Sequence, residues 1–212
     1  MPSSNLTSKP AWIDTYNSEI SYGFDASGLW FSGDNEGAFP VRTNLNIATD
    51  VAATITFTFI YNENCSDHGV CVFMQDNEPQ WSWGPDTSRI SIQYDCGTPE
   101  LLGQNDGASS LYELTVGNTY TCVFTYDPAT GVSAALYEGT EATGTPVDLL
   151  TLNEVLPEGV YNIALSADQD DTDYRSYFTS LTIETNEPVI TRVFRAIHLP
   201  HRRREEIGRA HV

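Results

Sequence analysis

The chain has 212 residues, enough for one large domain with a substantial core. Six of its 10 basic residues lie beyond Ile190, so residues 1–190 hold 4 basic and 27 acidic side chains, a net charge of −23. Such a body repels nucleic acid and anionic membrane, and no apolar run approaches the length of a membrane span, so neither partner is expected. The start, MPSSNLTSKPAW, has no basic n-region and no apolar h-region. No signal peptide is therefore expected, which places the protein in a virion, outside the cell after release, or otherwise in the cytoplasm.

Residues 1–27 are rich in Ser, Thr and Asn and read as an N-terminal edge segment, with Trp12, Ile13 and Tyr16 available for packing. Residues 28–32 (GLWFS) read as a short strand, followed by a turn cluster at 33–37. The clearest strand is ATITFTFIY at 53–61. Ile55, Phe57, Phe59 and Tyr61 alternate with Thr54, Thr56 and Thr58, as a half-buried pleated surface requires. Strands are also expected at 70–75 and 88–95. At 120–126, Tyr120, Cys122, Phe124 and Tyr126 share one face; DPATG then turns the chain, and 132–137 completes a hairpin. A further apolar run covers 147–152. In the next strand Tyr161, Ile163 and Leu165 face one way and Asn162 and Ala164 the other, which predicts a single buried side. Leu181 and Ile183 alternate in a last strand. Many strands, turn signals between them and no run of helix formers predict an all-β sandwich in one domain, 28–186.

Residues 187–212 differ from the body and form an atypical basic tail. The last seven residues, EIGRAHV, are what a common sequencing adapter encodes in this frame, so 206–212 are expected to be adapter read-through.

The segment LNEVLPEGVYNIALSA carries a resemblance through Leu152, Glu154, Val155, Leu156, Pro157, Val160, Ser166 and Ala167. It is similar to the closing strands of the concanavalin-like, legume-type (L-type) lectins, a fold shared with laminin-G-type modules and glycosidases. DHGVCVF at 67–73, SIQYDC at 91–96 and YTCVFTYD at 120–127 resemble three further strands of that family, so the likeness spans roughly 28–184. It implies a jelly-roll β-sandwich of two antiparallel sheets and a carbohydrate-binding module whose partner is a glycan or cell-surface polysaccharide. The segment at 62–99 (NxxCxDxGVCVF…WxWG…TSRI…YDCxTP) also resembles structural and fibre-associated proteins of marine bacteriophages. That implies the alternative, a virion structural or adhesion protein with virion components as partners.

The resemblance assigns candidate site residues and shows where the chain departs from the family. Sugar contacts are expected from Asp67, His68 and Gly69, where the family has Asp directly before Gly. In the family's two-metal site a Glu and an Asp of one strand hold ions; here the Glu position is Gln93 and Asp95 is kept, with Asn105 and Asp106 further on. The loop DQDDTD at 168–173 borders the family's sugar site. Its Asp168 and Asp170 are candidate sugar contacts, and Asp95, Asp168, Asp170, Asp171 and Asp173 are candidate ligands for Ca2+, which favours charged oxygen donors. The competing reading is a solvated acidic loop. Trp81 and Trp83 share one face of an extended segment flanked by Pro79 and Pro85; exposed, they offer a platform for a sugar ring, and buried, they are packing.

Cys65, Cys71, Cys96 and Cys122 permit three pairings, and a loop-closing Cys65–Cys71 disulfide stands beside reduced buried thiols. The retaining-glycosidase pattern E-x-D-x-x-E occurs nowhere, so no enzyme is expected.

Overall fold

The computed structural model describes residues 2–15, 21–32, 41–62, 70–76, 89–95, 97–103, 107–167 and 175–186. Among the described residues there are sixteen strands and no helix. The first six are β1 (Ser3–Asn5), β2 (Ile13–Thr15), β3 (Ser21–Asp25), β4 (Gly28–Ser32), β5 (Val41–Thr43) and β6 (Ile47–Ala48). Next come β7 (Ala53–Ile60), β8 (Val70–Asp76), β9 (Arg89–Asp95), β10 (Thr98–Leu102) and β11 (Gly107–Ser109). The last five are β12 (Thr119–Asp127), β13 (Gly131–Glu138), β14 (Asp148–Leu152), β15 (Val160–Ala167) and β16 (Ser176–Thr185).

They form two antiparallel sheets of eight strands each. The first runs β14-β13-β12-β7-β16-β4-β3, with β1 also pairing β16. The second runs β11-β10-β9-β8-β15-β5-β2, with β6 also pairing β15. The chain alternates between sheets, so strands distant in sequence become neighbours, as β7 and β16 do over eight residues of β7. The segment 1–27 supplies β1 and β3 to the first sheet and β2 to the second.

The core lies between the sheets and follows the predicted alternation. Ile55, Phe57 and Phe59 of β7 and Tyr120, Cys122, Phe124 and Tyr126 of β12 are all fully buried. Phe59 lies 4.6 Å from the Tyr94 ring of the opposite sheet and 5.9 Å from that of Tyr120, so one side chain ties three strands together. Two tyrosine hydroxyls in this core have opposite fates. Tyr126 donates to the Thr49 carbonyl at 2.9 Å, whereas the buried Tyr94 hydroxyl has no hydrogen-bond partner of good geometry and stands beside the Cys122 thiol, a weak donor at best. Tyr126→Phe is therefore expected to cost about 1–2 kcal/mol, and Tyr94→Phe to be neutral or slightly stabilising, because it removes a desolvated group that gains nothing. Urea unfolding of both variants checks this contrast.

One expectation needs correction. β15 is buried on both faces, not one: Asn162, Ala164 and Ser166 are as inaccessible as Tyr161, Ile163 and Leu165. The strand lies in the interior of the second sheet, between β8 on one side and β5 and β6 on the other. Its small outward side chains leave room for close cover; alternation reports polarity, which is not the same as exposure.

Candidate ligand-binding end of the second sheet

Strand register decides which candidate residues belong together. Val70, the first residue of β8, lies opposite Tyr94 of β9 on one side and Ala167 of β15 on the other. β8 is antiparallel to both neighbours, so its start and their ends emerge side by side, with adjacent chains about 4.8 Å apart. In sequence, Gly69 immediately precedes Val70, Asp95 immediately follows Tyr94, and Asp168 immediately follows Ala167. Three segments far apart in the chain, 67–69, Asp95 and 168–173, therefore start from one end of the second sheet. Asp95 is the last residue of β9. Asp67, His68, Gly69, Asp168, Asp170, Asp171 and Asp173 lie outside the described residues.

Trp81 and Trp83 also lie outside the described residues, and their connection leaves the sheet elsewhere. It joins β8 to β9 from the end where Gln75 lies opposite Arg89. β8 has seven residues, so the two ends of the sheet are roughly 20 Å apart.

The stems of two candidate loops are tied to each other. Asn62, the last described residue before 63–69, donates from Nδ2 to the Arg175 carbonyl at 3.3 Å; Arg175 is the first described residue after 168–174. The Arg175 guanidinium lies 4.0 Å from the Trp30 ring centroid and pairs with Asp25 at 3.7 Å. Trp30 lies so close over Gly23 that a Cβ there would come within 2.7 Å of the indole. Both partners of the ion pair are well exposed, so its worth is below about 1 kcal/mol, and the cation–π contact adds a similar amount.

The outward face of the second sheet carries buried polar side chains along its length. Ser91, Gln93, Asn162 and Ser166 are nine-tenths or more buried, and Gln93 donates from Nε2 to Ser91 Oγ at 3.4 Å. Register aligns Glu100, Gln93, Cys71 and Ser166 in one row across four strands. The alternating polar residues of β9 and β15 were the available signal.

Gln93 bears directly on metal binding. Where the family resemblance places a carboxylate, this chain has a neutral amide, 2% exposed and hydrogen-bonded to a hydroxyl. A neutral amide is buried there at little cost, whereas a carboxylate without a cation would be costly. A two-metal arrangement thus does not fit. Among the described residues there is no cluster of three or more His, Cys, Asp or Glu side chains placed to hold an ion.

Cysteine chemistry is also constrained. Cys122 is a free thiol at zero exposure, and burial pushes it up to about 12, with Asp148 adding to the effect and Tyr94 opposing it. It is an inert core residue. Cys71 is buried in the second sheet, while Cys65 and Cys96, and with them the proposed Cys65–Cys71 bridge, lie outside the described residues.

No protein-family model matches the sequence, and no curated protein matches it. Solved structures do match. Lectin I-B4 from Griffonia simplicifolia, in a metal-free form, superposes with a TM-score of 0.65 at 13% identity, covering 88% of this chain and 100% of that one. The chain has the concanavalin-like fold. The exoplasmic/lumenal domain of VIP36, in a form bound to Ca2+ and Man3GlcNAc, gives 0.53 at 11% identity, covering 85% of this chain and 86% of its own. A β-glucanase from Bacillus licheniformis gives 0.51 at 10% identity, covering 84% and 95%. Lectins and a glycan-cleaving enzyme thus share this sandwich, and likeness at this identity establishes the fold alone.

Proposed function

We propose that the chain is a non-catalytic, lectin-like carbohydrate-binding module whose site is the end of the second sheet where 67–69, Asp95 and 168–173 start. The observation that carries this reading is the register of Val70 against both Tyr94 and Ala167. It sets Val70, Asp95 and Ala167, which adjoin the candidate residues 67–69 and 168–173 in sequence, on neighbouring strands at one end of the sheet. The VIP36 domain, which shares the fold and is bound to Ca2+ and Man3GlcNAc, supports it, as does the lectin I-B4 likeness. A single Ca2+ ion is the metal that suits the donors: Asp95, Asp168, Asp170, Asp171 and Asp173 supply charged oxygens, where Gln93 supplies none.

The non-catalytic reading rests on the outward face of β9. Gln93 and Ser91 occupy the positions two and four residues before Asp95, so that face presents no pair of carboxylates along one strand. Glu100, opposite Gln93 on β10, accepts a hydrogen bond from Ser109 Oγ at 3.1 Å. Glycoside hydrolysis needs two carboxyls at a fixed separation.

A glycan array read with Ca2+ and again after chelation tests the proposal. The expected result is selective binding that falls at least about tenfold with EDTA, the loss of one charge-assisted anchor. Release of reducing ends from β-glucans would replace this reading with an enzymatic one. The virion alternative shares the fold and is favoured by no structural observation, since 63–69 and 77–88 of its resembling segment lie outside the described residues.

A further inference from the structure

We propose that Arg175 is a positioning residue: clamped by Trp30 and Asp25, it holds the two crossings that carry the candidate site at one spacing, an inference that rests on the functional reading above. The crossings are 63–69, which leads from β7 to β8, and 168–174, which leads from β15 to β16. β7 pairs with β16 in the first sheet, and β8 pairs with β15 in the second. The crossings are therefore neighbours at both of their ends. At the second sheet the backbone ladder sets their spacing, through the pairing of Val70 with Ala167. At the first sheet the ladder stops at Ile60 and Tyr177, and Asn62 and Arg175 stand two residues beyond it on their strands. There a side chain takes over from the ladder, as Asn62 Nδ2 donates to the Arg175 carbonyl at 3.3 Å.

What holds the Arg175 side chain comes from the β3–β4 hairpin, remote in sequence from both crossings. Trp30 lies opposite Gly23, and its indole occupies the space that a Cβ at Gly23 would need. The Arg175 guanidinium sits 4.0 Å from the centroid of that ring. Asp25 divides its carboxylate between two tasks. Oδ1 accepts from the Ser27 N–H at 2.7 Å, which fixes it in the turn, and Oδ2 pairs with Arg175 Nη1 at 3.7 Å. A planar guanidinium can stack on an indole and pair with a carboxylate at once. Arg175 and Asp25 are both well exposed, so each contact is weak and the clamp adds little to global stability. Its effect falls on the chain that it anchors, because segments that must be ordered at the moment of binding lower the affinity.

Hydrogen–deuterium exchange of the full chain, paired with calorimetric titration of CaCl2, tests this in Arg175→Ala, Trp30→Leu and Trp30→Phe. Arg175→Ala and Trp30→Leu should each speed exchange in both 63–69 and 168–174 by at least about threefold. Both should weaken Ca2+ binding roughly threefold to tenfold while Tm stays within about 4 °C of the wild type. Trp30→Phe keeps a ring face for the guanidinium and should recover most of both effects. Faster exchange in 168–174 alone would mean that Arg175 steadies only its own segment, and overturns the proposal. So does unchanged exchange in both segments, or a loss of affinity that merely follows a general loss of stability. A wild type that binds Ca2+ no better than its variants overturns the positioning role alone. A wild type that binds no Ca2+ and no array glycan overturns the functional reading and the positioning role together.

Discussion

Gly28→Ala is expected to destabilise the protein by about 3 kcal/mol or more, lowering Tm by roughly 6–12 °C. Gly28 closes the tight turn between β3 and β4, where Ser27 N–H donates to Asp25 Oδ1 at 2.7 Å. Its φ of +136° is one that L side chains rarely adopt. A Cβ would also sit 2.3 Å from the Phe178 carbonyl oxygen, which is backbone of β16 and cannot rotate away. Either the turn or the β4–β16 contact has to shift, and Leu29 and Phe31 of β4 are fully buried. Gly144→Ala is the control. Its φ is +81° and nothing lies within 4 Å of its Cβ, so it carries the backbone penalty alone, about 1 kcal/mol. Thermal unfolding of the two variants separates the clash from the dihedral; equal losses would mean that the close approach to β16 does not matter.

Phe59→Ala is expected to cost about 3–5 kcal/mol, a large part of the stability of an ordinary domain. Phe59 is fully buried and contacts the rings of Phe57, Tyr94 and Tyr120, so its loss opens a cavity between the sheets. The Tyr94 hydroxyl, already without a partner, would then border the cavity. Phe59→Leu keeps most of the volume and should cost less than about 1.5 kcal/mol. The midpoint in urea should fall while the slope is retained, because the exposed surface of the unfolded chain hardly changes.

Much of this architecture is legible in the sequence, for reasons tied to strand length. β7 and β12 have eight and nine residues, long enough for a two-residue period to repeat, and their inward sets match the buried residues. β5, β6 and β11 have two or three residues and no period to detect; pairing to longer neighbours defines them. β15 shows how a correct strand can have a wrong environment, since Asn162 and Ser166 are polar and yet buried.

The candidate site was legible as chemistry rather than as place. Aspartates, a His-Gly pair and two tryptophans are visible in any reading of the chain. That Val70, Asp95 and Ala167, which adjoin or belong to the candidate segments, share an end, while Asp76 and Arg89, which bracket the connection bearing Trp81 and Trp83, lie at the other, follows only from β8 pairing with both β9 and β15. The adjacency of β8 and β15 joins residues almost a hundred positions apart, and no local signal encodes it. Gln93 is visible in the sequence as a departure from the family's carboxylate; its burial against Ser91 is not.

Calorimetric titration of the strongest array ligand into the wild type, the Asp168→Ala/Asp170→Ala double variant and the Trp81→Ala variant tests the shared end most directly. If the end rooted at Val70, Asp95 and Ala167 is the glycan site, the double variant should lose at least about a hundredfold in affinity with its unfolding transition intact, through the loss of two charge-assisted contacts. Binding that survives the double substitution but disappears with Trp81→Ala would place the site at the opposite end of the second sheet and contradict the account.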